Sequence, residues 1–587
     1  GDSKRMTSWR LVIRSLTFHW RVHAAVVLGV AAATAVLTGA LLVGDSVRGS
    51  LRGLVLDRLG KIDALLISPR FFRAELASQL AAKPAFTARY DQAIPAILFP
   101  QGTVENTTED RVTRASRILI VATPNSFWDL DTKAVRPKVV PGEDEVVLNE
   151  PLANELGATV GSTITLRLPE AANAIPAESP LGEKEDRVRG IPGLEVVAIV
   201  PADGLGRFGL TPSQSLPMVA FTHLKTVQNS LRLDGQVNTI MVSSLAEGPS
   251  PNADDCLELN RLLDPRLADY GLSLSQIRLP RMEDNSTPNN AIPDYTSLTS
   301  DRMILDDEVA GVATNAFAGF SAQGVLTYLA NALVPLNDQG QETPDGGIPY
   351  STVAAVDSRA QLGPLLDAAG DPLPPLGDDE IVVNSWVAED QNLTTGARLR
   401  VYYYLPETTD RQPQETYRDF TVKAIVPITT PAKPFSGKRP AVYDKPPTLA
   451  NDKDLTPEVR GVTDQDSIEN WDTPFDLERE VRTQDERYYD QHRLTPKAFV
   501  SLSTGQSLWG SRFGAHTSWR ISTPANLPDN DSQAFRQRLE DAFLQQAEKS
   551  QARLGLAFQP VKWQGLKAAS GTTPFDVLFI ALSSFLI

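Results

Sequence analysis

The chain has 587 residues; 56 Lys and Arg against 72 Asp and Glu give a net charge of −16. That balance excludes a generally basic nucleic-acid binder, and the single cysteine, Cys256, excludes an intrachain disulfide framework or a cysteine-rich zinc site. Hydrophobic residues make up 42%, enough to exclude wholesale disorder, and the mean hydropathy of −0.19 is too polar for a multi-pass membrane protein.

In chain order, residues 1–23 form a basic segment with Lys4, Arg5, Arg10, Arg14 and Arg21 against Asp2. Ala24 to Gly44 then carries no charge over 21 residues. As a helix that length spans about 30 Å, the thickness of a bilayer core. The reading is an uncleaved transmembrane helix at 24–44, against a cleaved signal peptide or a buried soluble helix. The positive-inside rule puts the N-terminus in the cytoplasm and residue 45 onward outside. His19 and His23, with Trp9, Phe18 and Trp20, read as anchors in the lipid interface. Residues 45–60 place Val47, Leu51, Leu54, Val55 and Leu59 on one helical stripe, predicting a stalk that continues out of the membrane.

The long middle region contains a repeat. Residues 145–168 align without a gap to 380–403, at a constant offset of 380 − 145 = 235. Glu145/Glu380, Val147/Val382, Asn149/Asn384, Ala153/Ala388, Thr159/Thr394 and Gly161/Gly396 are identical. The pattern is strand, short helix, glycine turn, strand. LEVVAIVP at 194–201 then matches FTVKAIVP at 420–427, and each copy ends in a strand and a helix. Matches in one order with variable loops between them predict two related α+β modules, at 61–285 and 286–573. The long polar loops 171–193 and 434–493 carry recognition or wrap their own domain. Residues 574–587, uncharged from Val577 on, read as the truncated start of a second transmembrane helix.

Gly204-Leu-Gly206-Arg-Phe-Gly209 is a literal G-x-G-x-x-G after a strand. A dinucleotide site needs those glycines to open a helix whose N–H groups hold a pyrophosphate. Pro212 and Pro217 follow within eight residues, so the reading is a flexible surface loop. No P-loop or G-x-S-x-G motif is present. The acidic clusters 464–466, 476–480 and 529–531 lack the glycine and terminal glutamate of an EF-hand and read as solvated faces. His223 and His492 are lone histidines, and Cys256 falls on the apolar face of a helix as a core thiol. No catalytic, cofactor-binding or metal residue is assigned, no cofactor is expected, and the chain reads as a non-enzyme.

The assembly of Trp9-Arg10 to Arg21, the span 24–44, the exit Gly44-Asp45-Ser46-Val47-Arg48, the text EVVLNEPLANELGATVGSTITLRL with LEVVAIVP, and Leu566-Lys-Ala-Ala-Ser-Gly571 before the last apolar run resembles the FtsX-like permease family of ABC transporters, with its MacB-type periplasmic core domain. The resemblance brackets nearly the whole chain, but the external region is longer than in small members and looks duplicated. It implies a permease subunit in the cytoplasmic (inner) membrane with residues 45–573 extracytoplasmic, a separate or fused ATPase on the cytoplasmic side, a second permease copy or paralogue, and export or extraction of a lipid-linked or hydrophobic cargo. A membrane-anchored receptor and an anchored envelope hydrolase are the competing readings.

Overall fold

In the computed structural model the repeat read from the sequence is a repeat of structure; the residues described are 8–107, 112–133, 135–169, 188–210, 215–245, 250–278, 294–343, 347–406, 414–436, 439–445, 447–459, 461–473, 479–524 and 529–569. The expected second span at 574–587 lies outside them. Two helices come first, α1 (Ser8–Phe18) and α2 (Trp20–Leu59). The first module then runs β1 (Ile62–Arg73), α3 (Glu75–Ala81), α4 (Pro84–Thr87), β2 (Tyr90–Thr107), β3 (Val112–Thr123), β4 (Glu145–Asn149), α5 (Glu150–Leu156), β5 (Thr163–Pro169), β6 (Val188–Val200), β7 (Val219–His223), α6 (Leu224–Leu231), β8 (Gln236–Ser244), α7 (Ala253–Arg261) and β9 (Leu272–Ile277). The second runs β10 (Tyr295–Ser300), α8 (Asp307–Ala316), β11 (Ala322–Leu336), β12 (Ile348–Ala355), β13 (Glu380–Asn384), α9 (Ser385–Asp390), β14 (Arg398–Tyr404), β15 (Glu415–Val426), α10 (Thr483–His492), β16 (Ala498–Val500), α11 (Leu502–Trp509), β17 (Ser518–Ser522), α12 (Asp529–Ala547) and β18 (Phe558–Gln559), before α13 (Val561–Ala569).

The sequence identities have local causes. Asn149 and Asn384 each end a strand and cap the following helix, the side-chain oxygen accepting from Leu152 N at 3.2 Å and Val387 N at 3.0 Å. Gly161 and Gly396 both sit at φ +90°, where a side chain is strained, and donate to Val196 O and Val422 O, each at 2.8 Å. The parallel pairs β4–β6 and β13–β15 carry an irregularity at the same register, after Val146 and after Ile381.

Each module has one topology. In the first, β2-β3-β7-β4-β6-β5 close into a six-stranded ring because β5 pairs back onto β2, and β8, β1 and β18 extend the sheet from β2. In the second, β11-β12-β16-β13-β15-β14 close in the same way, and β17, β10 and β9 extend it. The closing strands are long: β2 has 18 residues and β11 has 15, so each pairs with the ring over part of its length and with the extension over the rest.

The outermost strands are exchanged. β9 ends the first module in sequence but pairs with β10 of the second, and β18 ends the second but pairs with β1 of the first. One apolar core accordingly contains both modules, with Leu66, Ile240 and Val242 beside Leu298, Ile521, Leu539 and Phe543. Arg70 of β1 reinforces the seam, reaching Asp306 at 2.6 Å and Tyr270 O at 2.7 Å.

The loop 434–493 wraps its own module. In the first module the outer face of the ring, Val121, Val147, Val200 and Phe221, packs against Phe127, Trp128, Leu205, Phe208 and the end of α2. The matching face of the second, Ala354, Val382, Val426 and Phe499, is covered by Leu365, Leu449, Ala450 and Leu455. The long insertion therefore takes the place that the stalk holds in the first module.

Candidate functional site: the stalk junction

α2 is one helix of 40 residues, about 60 Å long. Its apolar part is unburied, and among the described residues it is the one helix long and apolar enough to cross a membrane. Of the expected stalk stripe, Val47 and Leu51 stay exposed, whereas Val55 and Leu59 enter the core beside Leu65, Leu130 and Met241. Burying two such side chains contributes about 3–6 kcal/mol. The stripe is thus used only over the last turns, where there is a protein surface to receive it.

The helix stops at Gly60 for a steric reason. Gly60 lies at φ +51°, and a Cβ there would stand 2.4 Å from Leu130 O. Lys61 N then donates to the same carbonyl at 2.7 Å, turning the chain directly into β1.

The G-x-G-x-x-G segment belongs to this junction, and the expectation of a flexible surface loop is corrected. Gly204–Arg207 is a 3-10 turn with Gly204, Leu205 and Gly206 buried, packed against α2. A Cβ on Gly206 would lie 2.0 Å from Pro201 O, and one on Gly204 would lie 2.6 Å from Asp131 Oδ1. These glycines exist for close backbone approach, not for a phosphate. Asn149 Nδ2 donates to Gly206 O at 3.0 Å, which ties the loop to the repeat motif. Lys133 bridges the loop and the stalk, reaching Asp203 and Asp57 at 2.7 Å each. The hydrogen bond from Lys133 holds the Asp203 carboxyl below its ordinary range.

The second arm of the junction comes from the far end of the chain. β18 pairs with Leu65 and Leu66 of β1, and α13 then packs on the end of α2. Gly565 permits the approach, since a Cβ there would stand 2.8 Å from Val55 Cγ1. Lys562 of α13 forms an ion pair with Asp63 of β1 at 2.7 Å, with both side chains more than nine-tenths buried. Asp63 also accepts from Ser244 N at 2.9 Å and Ser250 Oγ at 3.1 Å, so its carboxylate is well supplied with donors. Arg58, one turn from Val55, is buried with Nε and Nη1 unpartnered. Each buried unpaired donor costs about 1–3 kcal/mol, a cost that apolar packing at the junction must offset.

Both chemically connected arms, α2 and β18–α13, converge on the single strand β1. α2 runs directly into β1 through the Gly60 turn, and β18–α13 is held to β1 by backbone pairing and a buried ion pair. The sequence reading found the stalk but missed Asp63 and Lys562. Their signal was weak: one acid in the apolar run KIDALLIS and one lysine opening VKWQGLKAA, 499 residues apart.

The other singled-out residues are placed elsewhere. His223 caps α6, its Nδ1 accepting from Lys225 N at 3.3 Å. Cys256 is buried in α7, and burial pushes its thiol up to about 12. His492 is buried in α10 beside Tyr488, and burial lowers it to about 4. Among the described residues no three His, Cys, Asp or Glu side chains come together as a metal would need.

No family model matches the chain, and no curated protein matches it. Among solved structures, the periplasmic region of MacB from Actinobacillus actinomycetemcomitans is 13% identical, with a TM-score of 0.22, over 35% of this chain and 86% of that one. The extracellular domain of the noncanonic ABC-type transporter YknZ from Gram-positive bacteria is 13% identical, with a TM-score of 0.21, over 34% of this chain and 91% of that one.

Proposed function

We propose that the chain is part of the permease subunit of an ABC-type transporter, a non-catalytic protein whose extracytoplasmic modules convert helix motion into export or extraction of a lipid-linked or hydrophobic cargo. On this reading residues 1–23 are cytoplasmic, 24–44 cross the inner membrane, and a separate or fused ATPase acts from the cytoplasmic side on a permease dimer. The observation that carries it is the junction. An apolar helix continues without a break into the core of the first module, and the second membrane-proximal helix is locked to the same strand. A rigid link of that kind suits a device that moves its external domain with its membrane helix.

The test is purification of the intact protein from its native membrane, followed by coupling measurements. An ATPase subunit is expected to copurify. Lys562→Met, which breaks the lock between α13 and β1, is expected to lower transport while leaving basal ATP hydrolysis. Copurification of a cytoplasmic signalling partner without an ATPase would replace this reading with a membrane-anchored receptor.

A further inference from the structure

Where the insertion 434–493 meets the ring of the second module there is a cavity of about 10 Å³. Its walls include Asp485, Tyr488 and Tyr489 of α10, Thr352 of β12, and Lys497 at the head of β16. Lys497 is 4% exposed, and its backbone N–H donates to Thr352 O at 2.9 Å. The ammonium stands between the Trp386 and Tyr488 rings, 5.1 and 4.9 Å from their centres. The rings stabilise the charge, but they are poor acceptors for its three N–H groups.

Among the described residues no acceptor lies within hydrogen-bond distance of Lys497 Nζ; its carboxylate neighbour, Asp485 Oδ1, stands at 4.0 Å. Asp485 is itself 1% exposed and is held by Arg482, whose N and Nε donate to Oδ2 at 3.0 and 2.9 Å. Arg482 Nη2 donates to Oδ1 at 2.8 Å, and also to Asp390 at 2.8 Å. Oδ1 thus accepts one bond and keeps a lone pair. Burial lowers Lys497 to about 8, so the amine is still charged at neutral pH, and a desolvated ammonium needs an acceptor. The charges around the cavity decide what can fill it. Asp390 and Asp485 balance Arg482 and Lys497, and Arg493, also on the wall, is matched by Asp466 at 3.6 Å. Neither a cation nor an anion is drawn in, and the volume suits about one water molecule.

We propose that the cavity is the site of a single structural water, which accepts from Lys497 Nζ and donates to Asp485 Oδ1, and that this bridge latches α10 of the insertion to β16 of the ring. The duplication gives the latch its reason. Asn149 and Asn384 donate to Pro217 O and Pro496 O, at 2.7 and 3.2 Å, so Met218 is the counterpart of Lys497. In the first module, where the stalk covers the outer face, that position is a thioether packed on the apolar core. In the second, where the insertion covers the outer face, it is an ammonium. The latch is independent of the stalk junction and of the transport reading.

The experiment is a crystal structure of the intact purified chain at a resolution that shows ordered water, from sodium chloride and again from rubidium bromide, beside the same structure of Lys497→Met. One density peak is expected within hydrogen-bond distance of both Lys497 Nζ and Asp485 Oδ1, with no anomalous signal in rubidium bromide. In Lys497→Met, which keeps the side-chain length and leaves Asp485 bonded to Arg482, the peak is expected to be lost. Should that variant fail to fold, the wild-type crystals decide the matter by themselves. A direct contact between Lys497 Nζ and Asp485 shorter than about 3.2 Å, the absence of any peak, an anomalous signal there, or a peak that survives Lys497→Met overturns the proposal.

Discussion

Lys562→Met tests the junction most directly. The substitution keeps the length of the side chain and removes the ammonium from a pair whose members are 9% and 8% exposed. Breaking a buried pair from one side costs about 3–5 kcal/mol, because the remaining charge is stranded. Asp63 keeps two other donors, Ser244 N and Ser250 Oγ, so the lower end applies, about 3 kcal/mol. The loss is local, since Lys562 joins α13 to β1 of the first module. Hydrogen exchange reads such local opening directly. Amides of 561–569 and of the β1–β18 pair are expected to exchange about 150-fold faster, the factor that corresponds to about 3 kcal/mol. Amides of β13 and β15 are expected to be unchanged. Adding Asp63→Asn removes the stranded charge, and most of the protection is expected to return. If Lys562→Met leaves the α13 amides as protected as in the wild type, the ion pair does not hold the second arm and the coupling argument fails.

Acid should loosen the insertion around α10. His492 is lowered to about 4 in the folded chain from an ordinary value near 6.5, so the unfolded state takes up the proton first. Its contribution is fully present above pH 6.5 and is lost as pH falls toward 4, by up to about 3 kcal/mol; His492→Phe is expected to remove that part of the pH dependence of α10 exchange. Asn149→Ala breaks a side chain that caps α5, accepts from Val219 N and donates to Gly206 O and Pro217 O. A loss of about 3 kcal/mol is expected in chemical unfolding of the first module, with exchange in the 204–208 loop rising as well. Gly206→Ala is expected to displace the same loop from α2, given the 2.0 Å approach to Pro201 O, and to be seen as faster exchange at residues 55–60. An unchanged pattern would mean that the loop does not brace the stalk.

What could be read from the chain alone was whatever is fixed locally. The 24–44 helix follows from the absence of charge over a bilayer's length. The duplication follows from Asn149 and Asn384, each capping the N–H three residues on, and from Gly161 and Gly396, each fixed by its own backbone at positive φ. The repeated order of strand, short helix, glycine turn and strand carried the mixed α+β class. The same local reading mistook the role of Gly204–Gly209, because a glycine required by a neighbour's carbonyl looks identical, in sequence, to one required by a ligand or by a loose loop.

Tertiary structure decided the remainder. The closure of each ring through β2–β5 and β11–β14, the exchange of β9 and β18, and the meeting of Asp63 with Lys562 all join residues distant along the chain. An edge strand such as Phe558–Gln559 has a free row of backbone donors and acceptors that any compatible edge can satisfy. Which edge it takes depends on the shape of the shared core and on where α12 and α13 leave the chain, and periodicity carries no record of either. For the same reason the two equivalent outer faces have different covers: the stalk reached one, and the chain's own insertion, Leu449 to Leu455, closed the other.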